Sequence, residues 1–330
     1  MKNRLLGNTG IEISPIGYGC MGLTHAFGTP MTKEDAAAKV REAYEMGYTF
    51  FDTAECYTGK NPDGTTAYNE EAVGLGIKGI RDRIVLASKF GVIHKWDHLE
   101  MDSSPETIRK SIEGTLKRLG TDYLDLYYQH RIDKNVEPEV VAEEMGKLIK
   151  EGKIRAWGIS AVDEEYVKRA NAVTPVSAVE NMYNMIDRDT EKYFPYFEEQ
   201  KITMVGYTPL AKGFLSGRFI ERPTFDDAQD NRGGRYQFSE EGFAAYQSVL
   251  RLIEEYAARK NATSTQICLA WELAKSPCVV PIPGTRTSSH MKENIEAANV
   301  EFTAEEFSAL DAALDALNLV DTAKRRISFK

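Results

Sequence analysis

Eight short apolar runs recur along the chain, and nearly all are followed by a stretch with helical spacing. They are SPIGYG (14–19), TFFDTA (49–54), RIVLASKF (83–90), YLDLYYQH (123–130), IRAWGIS (154–160), VSAVENMY (176–183), ITMVGYTPL (202–210) and CVVPIPG (278–284). Most positions in each run are apolar, rather than alternate ones, which suits strands covered on both faces. The intervening segments carry helix signals. In TKEDAAAKVREAYEMGY (32–48), Thr32 is an N-cap with Asp35 three residues on, and Gly47 sits at the stop. In SPETIRKSIEGTLKRLG (104–120), Ser104 caps, Pro105 opens the helix, and Ile108, Ile112, Leu116 and Leu119 share one face. Eight βα units predict an α/β fold, a (β/α)8 TIM barrel built as a single domain over residues 1–330. A doubly wound sheet is the alternative. Against it, no GxGxxG opens a helix after the first strand; YGCMGL (18–23) holds only part of such a loop.

Three segments break the rhythm. RLLGNTGIEIS (4–14) reads as an N-terminal β-hairpin around Gly7–Gly10, ahead of the first barrel strand. Residues 212–238 form a long polar loop after strand seven, of the kind that serves as a lid or is disordered. The stretch after about Leu317 is mixed and basic, and reads as a partly mobile surface tail. The net charge of −9 disfavours nucleic acid and anionic lipid as partners, although a local basic pocket can still hold phosphate. The opening MKNRLLGNTG lacks the apolar core of a signal peptide, and no window is apolar enough to span a membrane. Cys20, Cys56, Cys268 and Cys278 show no CxxC spacing, so they read as reduced thiols in the cytoplasm, with no metal site.

In a barrel of this kind, functional side chains stand at the C-terminal ends of strands. Run two ends with Asp52 and is followed by Tyr57; run three ends near Lys89; run four ends at His130. A tyrosine with a pKa of about 10 is a reluctant proton donor near neutrality. A neighbouring ammonium favours the phenolate and lowers that pKa. A carboxylate holds the lysine charged and in place, and a neutral imidazole donates a hydrogen bond to a carbonyl oxygen. Together these groups predict an acid and an oxyanion site for a carbonyl about to accept a hydride. Taken singly, such a lysine reads as salt-bridged and such a histidine as structural. At the ends of three consecutive strands they are much harder to explain as scaffold.

The chain resembles the aldo-keto reductase family over almost its whole length. Its motifs are most similar to the bacterial branch that is like the cytoplasmic β subunits of potassium channels. The stretches that carry the resemblance are GYGCMGL (17–23), DTAECY (52–57), ASKFG (87–91), LDLYYQH (124–130), KEGKIRAWGIS (150–160), GYTPLAKGFLSG (206–217) and PIPGTR with KEN beyond it (281–294). The resemblance implies a catalytic tetrad of Asp52, Tyr57, Lys89 and His130. It also implies NADP(H) as cofactor, with NAD(H) possible, and a small-molecule carbonyl substrate; an oligomer is compatible with it. The implied cofactor contacts are Gly19, Met21 and Asp52 near the ribose, Ser160 and Glu180 at the carboxamide, and Tyr207 stacked on the nicotinamide. Thr208, Pro209 and Leu210 follow, and Gly284, Thr285, Arg286, His290, Glu293 and Asn294 take the adenosine end. Arg286 is the expected fixed cation for a phosphomonoester.

Four positions depart from the family pattern. Ala161 replaces the usual Asn or Glu, Glu180 the usual Gln, Thr287 a lysine and His290 an arginine. Glutamate accepts from an amide NH2 but, ionised, donates nothing to the amide oxygen. The expectation is NADPH over NADH, with reduced discrimination. His25, Phe27 and Trp96 are expected to line the pocket, with residues 59–69 as a wall. Two other functions compete: a cofactor-binding regulatory protein of the channel β-subunit type, and a barrel aldolase with Lys89 as Schiff base. A complete tetrad speaks against the first, and a lysine kept charged by Asp52 against the second.

Overall fold

A computed structural model describes residues 2–95, 98–317 and 319. Each of the eight runs contains a strand: β1 (Tyr18–Gly19), β2 (Phe50–Asp52), β3 (Val85–Phe90), β4 (Leu124–Gln129), β5 (Ile154–Ser160), β6 (Ala178–Met182), β7 (Thr203–Tyr207) and β8 (Val279–Pro281). They form one sheet in sequential order, every neighbouring pair parallel. The register places Tyr128 beside Lys89 and Glu180 beside Ser160.

The two edges of this sheet meet. Gly17 N–H donates to the Pro281 carbonyl at 2.9 Å, and Gly19 N–H to the Pro283 carbonyl at 3.2 Å. Glycine is required at this seam. A Cβ on Gly19 would lie 2.7 Å from the Ile282 oxygen, and one on Gly284 would lie 2.5 Å from the Gly19 oxygen. The result is the expected (β/α)8 barrel, and no sheet edge is left for pairing with another chain.

Helices α1 (Lys33–Glu45), α2 (Asn69–Gly76), α3 (Pro105–Leu119), α4 (Pro138–Lys150), α5 (Glu164–Asn171) and α6 (Phe194–Glu199) each follow one strand. After β7 come α7 (Glu240–Ala245), α8 (Gln247–Lys260) and α9 (Ser264–Lys275); after β8 come α10 (Ser288–Glu296) and α11 (Ala304–Ala316). The capping signals act as expected. Thr32 accepts from Asp35 N–H, Ser104 accepts from Thr107 N–H, and Gly120 ends α3 in the left-handed region at φ 65°. Apolar helix faces bury against the outside of the sheet in one continuous core.

The inside of the cylinder is a second core. Phe50, Val85, Ala87, Leu126, Tyr128, Ala156, Ala178, Val205, Val280 and Ile282 fill it. The N-terminal hairpin pairs Arg4–Leu5 with Glu12–Ile13 and inserts Leu6 and Ile13 into that same core, closing one end. Function is therefore confined to the other end, where β2, β3, β5, β6 and β7 terminate in Asp52, Phe90 beside Lys89, Ser160, Met182 and Tyr207.

The loop after strand seven is not loose. Phe214, Phe219 and Phe225 pack around Phe238 with ring centroids 5.8, 5.6 and 5.0 Å away. Its tip lies across the mouth. Thr29 donates to Asp227, Asn231 N–H to the Ala26 carbonyl, and the Gln229 amide pairs with both backbone groups of Lys60. Polar composition alone suggested a lid or a disordered segment, but buried aromatics anchor it. The basic tail and Trp96, both singled out in the sequence, lie outside the described residues.

One buried acid stands outside the mouth. Glu272 on α9 is fully buried, and neither carboxyl oxygen has a hydrogen-bond partner among the described residues. It lies so close to β7 that a Cβ on Gly206 would be 3.2 Å from its Oε2. Burial pushes its carboxyl well above the ordinary range, so it stays protonated in the fold. The unfolded chain ionises it above about pH 4.3. Stability is therefore full below that value and falls as pH rises, by up to about 1.4 kcal/mol per unit. Glu272→Leu should raise the unfolding free energy near pH 8 by about 1–3 kcal/mol, with the gain shrinking towards pH 4. Urea unfolding of both proteins across this range measures it; a gain independent of pH would mean that the acid is not held neutral.

Candidate active site

Lys89 is the centre of the open end. Its side chain is fully buried in the lumen and pairs with Asp52 on β2. Its Nζ also donates to the Thr53 carbonyl at 3.0 Å. A second acid joins it: Glu180 Oε2 on β6 lies 3.4 Å away, an ion pair without hydrogen-bond geometry. Glu180 is thus not a rim residue but a buried neighbour of Lys89. Asp52 Oδ2 and Glu180 Oε2 have no hydrogen-bond partner among the described residues.

Electrostatics follow from burial opposed by pairing. Burial pulls the Lys89 ammonium down, but Asp52, Glu180 and Tyr57 outweigh it, and the net direction is up. Burial pushes Asp52 up against the pull of Lys89. Burial, joined by the charge of Asp52, pushes Glu180 up to about 8.

Tyr57, in the loop after β2, lies with its ring centroid 5.1 Å from Lys89 Nζ. Here one expectation is corrected. Lys89 does favour the phenolate, but burial is the larger effect, and the Tyr57 phenol is raised rather than lowered. The site holds this hydroxyl protonated throughout the neutral range. His130 stands edge-on to Tyr57, ring centroids 5.6 Å apart. Burial first, then the charges of Arg131 and Lys89, pushes its imidazole well below its ordinary value, so it is neutral. Its Nδ1 lies 3.3 Å from Cys56 Sγ. A thiol donating to Nδ1 leaves the ring proton on Nε2, where it can serve as a hydrogen-bond donor. His25 stacks on Tyr57, ring centroids 5.8 Å apart. Phe27 lies 5.5 Å from Lys212 Nζ, beneath the docked loop. Residues 59–69 contribute a small hairpin of Thr58–Lys60 with Thr66–Tyr68, tied to that loop through Lys60.

The implied cofactor positions fall into two groups. Near the phenol are Met21, packed with Ala54, Cys56 and Tyr57, and Gly19 at the barrel seam. Ser160 ends β5 and Tyr207 ends β7, joined by Arg131, which donates to Ser160 Oγ at 3.1 Å and lies 5.9 Å from the Tyr207 ring. Beyond Tyr207, through Pro209 and Leu210, the backbone is unusual: Thr208, Ala211, Lys212 and Gly213 all have positive φ. Within it, the Ala211 and Gly213 N–H groups donate to the Thr208 and Leu210 carbonyls, both at 2.9 Å, as tight turns. Thr208 Oγ1 there is buried and has no hydrogen-bond partner among the described residues.

The second group sits at the start of α10. His290 Nδ1 lies 3.5 Å from Thr285 Oγ1 and 3.0 Å from an Arg218 nitrogen, and Arg218 also pairs with Glu293. Asn294 is buried behind them. Arg286, expected at a phosphate, donates to the Gly22 and Thr29 carbonyls and ties the loops after β8 and β1 together, while its other terminal nitrogen is buried with no hydrogen-bond partner among the described residues. Gly284 is at the seam. The cation beside His290 is therefore Arg218, which sequence reading missed. Nothing local marks it, because it comes from the long loop, 72 residues before its partner. Arg131 was missed too, although it directly follows His130. Among the described residues, no group of three His, Cys, Asp or Glu side chains could hold a metal ion, and no helix is long and apolar enough to cross a membrane.

Residues 15–315 match the model described as "Aldo/keto reductase family". A curated relative from Glycine max, a probable aldo-keto reductase 1, is 35% identical over 312 residues, covering 94% of this chain and 88% of its own length. The glycerol dehydrogenase of Gluconobacter oxydans has a similar structure, with a TM-score of 0.82 at 25% identity and 95% of each chain covered. An aldo/keto reductase of Klebsiella pneumoniae, solved with NADP and acetate, gives a TM-score of 0.70 at 27% identity, covering 94% of this chain and 95% of its own. A seamed eight-strand barrel, a buried lysine at its mouth and a match along nearly the whole chain agree: the chain belongs to the aldo/keto reductase family and is an NAD(P)H-dependent oxidoreductase.

Proposed function

We propose that the protein, acting as one catalytic unit over residues 1–330, reduces a small aldehyde or ketone to the alcohol with NADPH, in the cytoplasm. The observation that carries this reading is the convergence of the Tyr57 phenol, the His130 imidazole and the Asp52-paired Lys89 ammonium at one buried end of the barrel. A reduced nicotinamide held at Tyr207 would supply the hydride. The protein's own residues do the rest. Ser160 and Glu180 would hold the carboxamide, and His130 donates from Nε2 to the substrate oxygen. Tyr57 passes its proton to that oxygen as negative charge grows there, and Lys89 stabilises the phenolate left behind. Asp52 keeps Lys89 charged and in place.

The residues present fit such a cofactor. The unsatisfied Thr208 hydroxyl, directly after Tyr207 at the end of β7, would serve the diphosphate. Arg218, with His290 and Thr285, would take a 2′-phosphate, and Glu293 and Asn294 the adenine. The relatives solved with NADP and NADPH support this choice of cofactor.

Tyr57→Phe should keep cofactor binding and lose about 10²–10⁴-fold in kcat. Stopped-flow and steady-state rates with a reactive aldehyde measure this, and near-normal turnover would remove Tyr57 from the role of acid. Arg218→Ala should reduce the kcat/KM ratio of NADPH to NADH by about 10–100-fold, the worth of a charged hydrogen bond, with the NADH value nearly unchanged. An unchanged ratio would place the phosphate elsewhere.

A further inference from the structure

The lumen holds one more acid than the ammonium needs. Asp52 and Glu180 both face Lys89, and each keeps an oxygen with no hydrogen-bond partner among the described residues. Asp52 Oδ1 and Glu180 Oε2 lie within ion-pair distance of the same nitrogen, so the two carboxyls are neighbours. Around Glu180 stand Lys89 from β3, Tyr128 from β4, Arg131 beyond β4, Tyr57 above, Ser160 in register on β5 and the apolar Val205 in register on β7. Of these, Arg131 is the further cation; it donates to the His130 carbonyl and Ser160, and its pull on Glu180 is smaller than the opposing push of burial and of Asp52. Two ionised carboxylates against one buried ammonium would leave an uncompensated negative charge in a sealed lumen. Such an arrangement relaxes by retaining a proton.

We propose that Asp52 and Glu180 share one proton across Lys89, so that the three groups together are neutral in the resting site. With that proton, Glu180 both donates and accepts, as a glutamine would. The substitution of Gln by Glu at this position then costs the site no hydrogen-bonding capacity until the proton leaves. Glu180 acts here as a positioning residue: it sets the charge that Lys89 presents to Tyr57. The direction of the burial effects on both acids agrees. The consequence for turnover rests on the reductase reading above; the proton itself does not.

Infrared pH-difference spectra of the cofactor-free protein test it directly. Wild type should show the carbonyl stretch of a protonated carboxyl that disappears with a midpoint near pH 8. Glu180→Gln and Asp52→Asn should each abolish that band, because either removes one of the two sharers and leaves the other paired with Lys89. The band of Glu272 is common to all three proteins and cancels in their comparison. Persistence of the titrating band in either variant, or its absence from wild type, overturns the proposal. In turnover, wild type should lose kcat/KM above the same pH, and Glu180→Gln should lack that limb. An active enzyme without the band sinks the shared proton alone; a band in a protein that turns over no carbonyl sinks the reductase reading alone.

Discussion

A lysine with no exposed surface needs a reason to stay charged, and Asp52 supplies it. Removing one partner from such a pair costs roughly 3–5 kcal/mol, because the other charge is stranded. The pair joins β2 to β3 and fixes where a positive charge sits in an otherwise apolar lumen. Tyr57 and Glu180 both feel that charge. On each, burial pushes the pKa up and Lys89 pulls it down. The phenol ends protonated, the imidazole neutral and the ammonium charged, which are the states that a carbonyl-reducing site requires before reaction begins.

That charge is useful only because the cylinder is closed. Leu6 and Ile13 seal one end, the glycine seam at β1 and β8 seals the side, and the loop after β7 crosses the other end. Closure excludes water and so strengthens each interaction inside. Directly after Tyr207, Thr208, Ala211 and Lys212 adopt positive φ, the kind of strain that commonly gathers at functional sites. Glu272 shows the opposite case, a buried acid behind β7 with no counter-charge beside it, held neutral by burial alone.

Much of the fold was legible in advance. Eight apolar runs became eight parallel strands, and Thr32, Ser104 and Gly120 acted at helix ends as their chemistry suggests. The hairpin was legible from its glycines. What was not legible shares one cause. The loop over 212–238 looked polar, yet Phe219 and Phe225 anchor it through Phe238. Carbonyls of the first loop hold Arg286, and Arg218 reaches His290 from a distant segment. In each case the partner is far away in the chain, so no local pattern could announce it.

By itself, the sequence determined the alternation of strands and helices, and with it the strand ends at which Asp52, Lys89 and His130 emerge. Those features depend on local periodicity and capping, which act within a few residues. Only the tertiary structure decided how the charges balance: that Glu180 meets Lys89, that Cys56 touches His130, and that burial outweighs the ammonium in setting the state of Tyr57. Desolvation and Coulomb forces depend on distance in space and on exclusion of water, and neither is written in the spacing of residues along a chain.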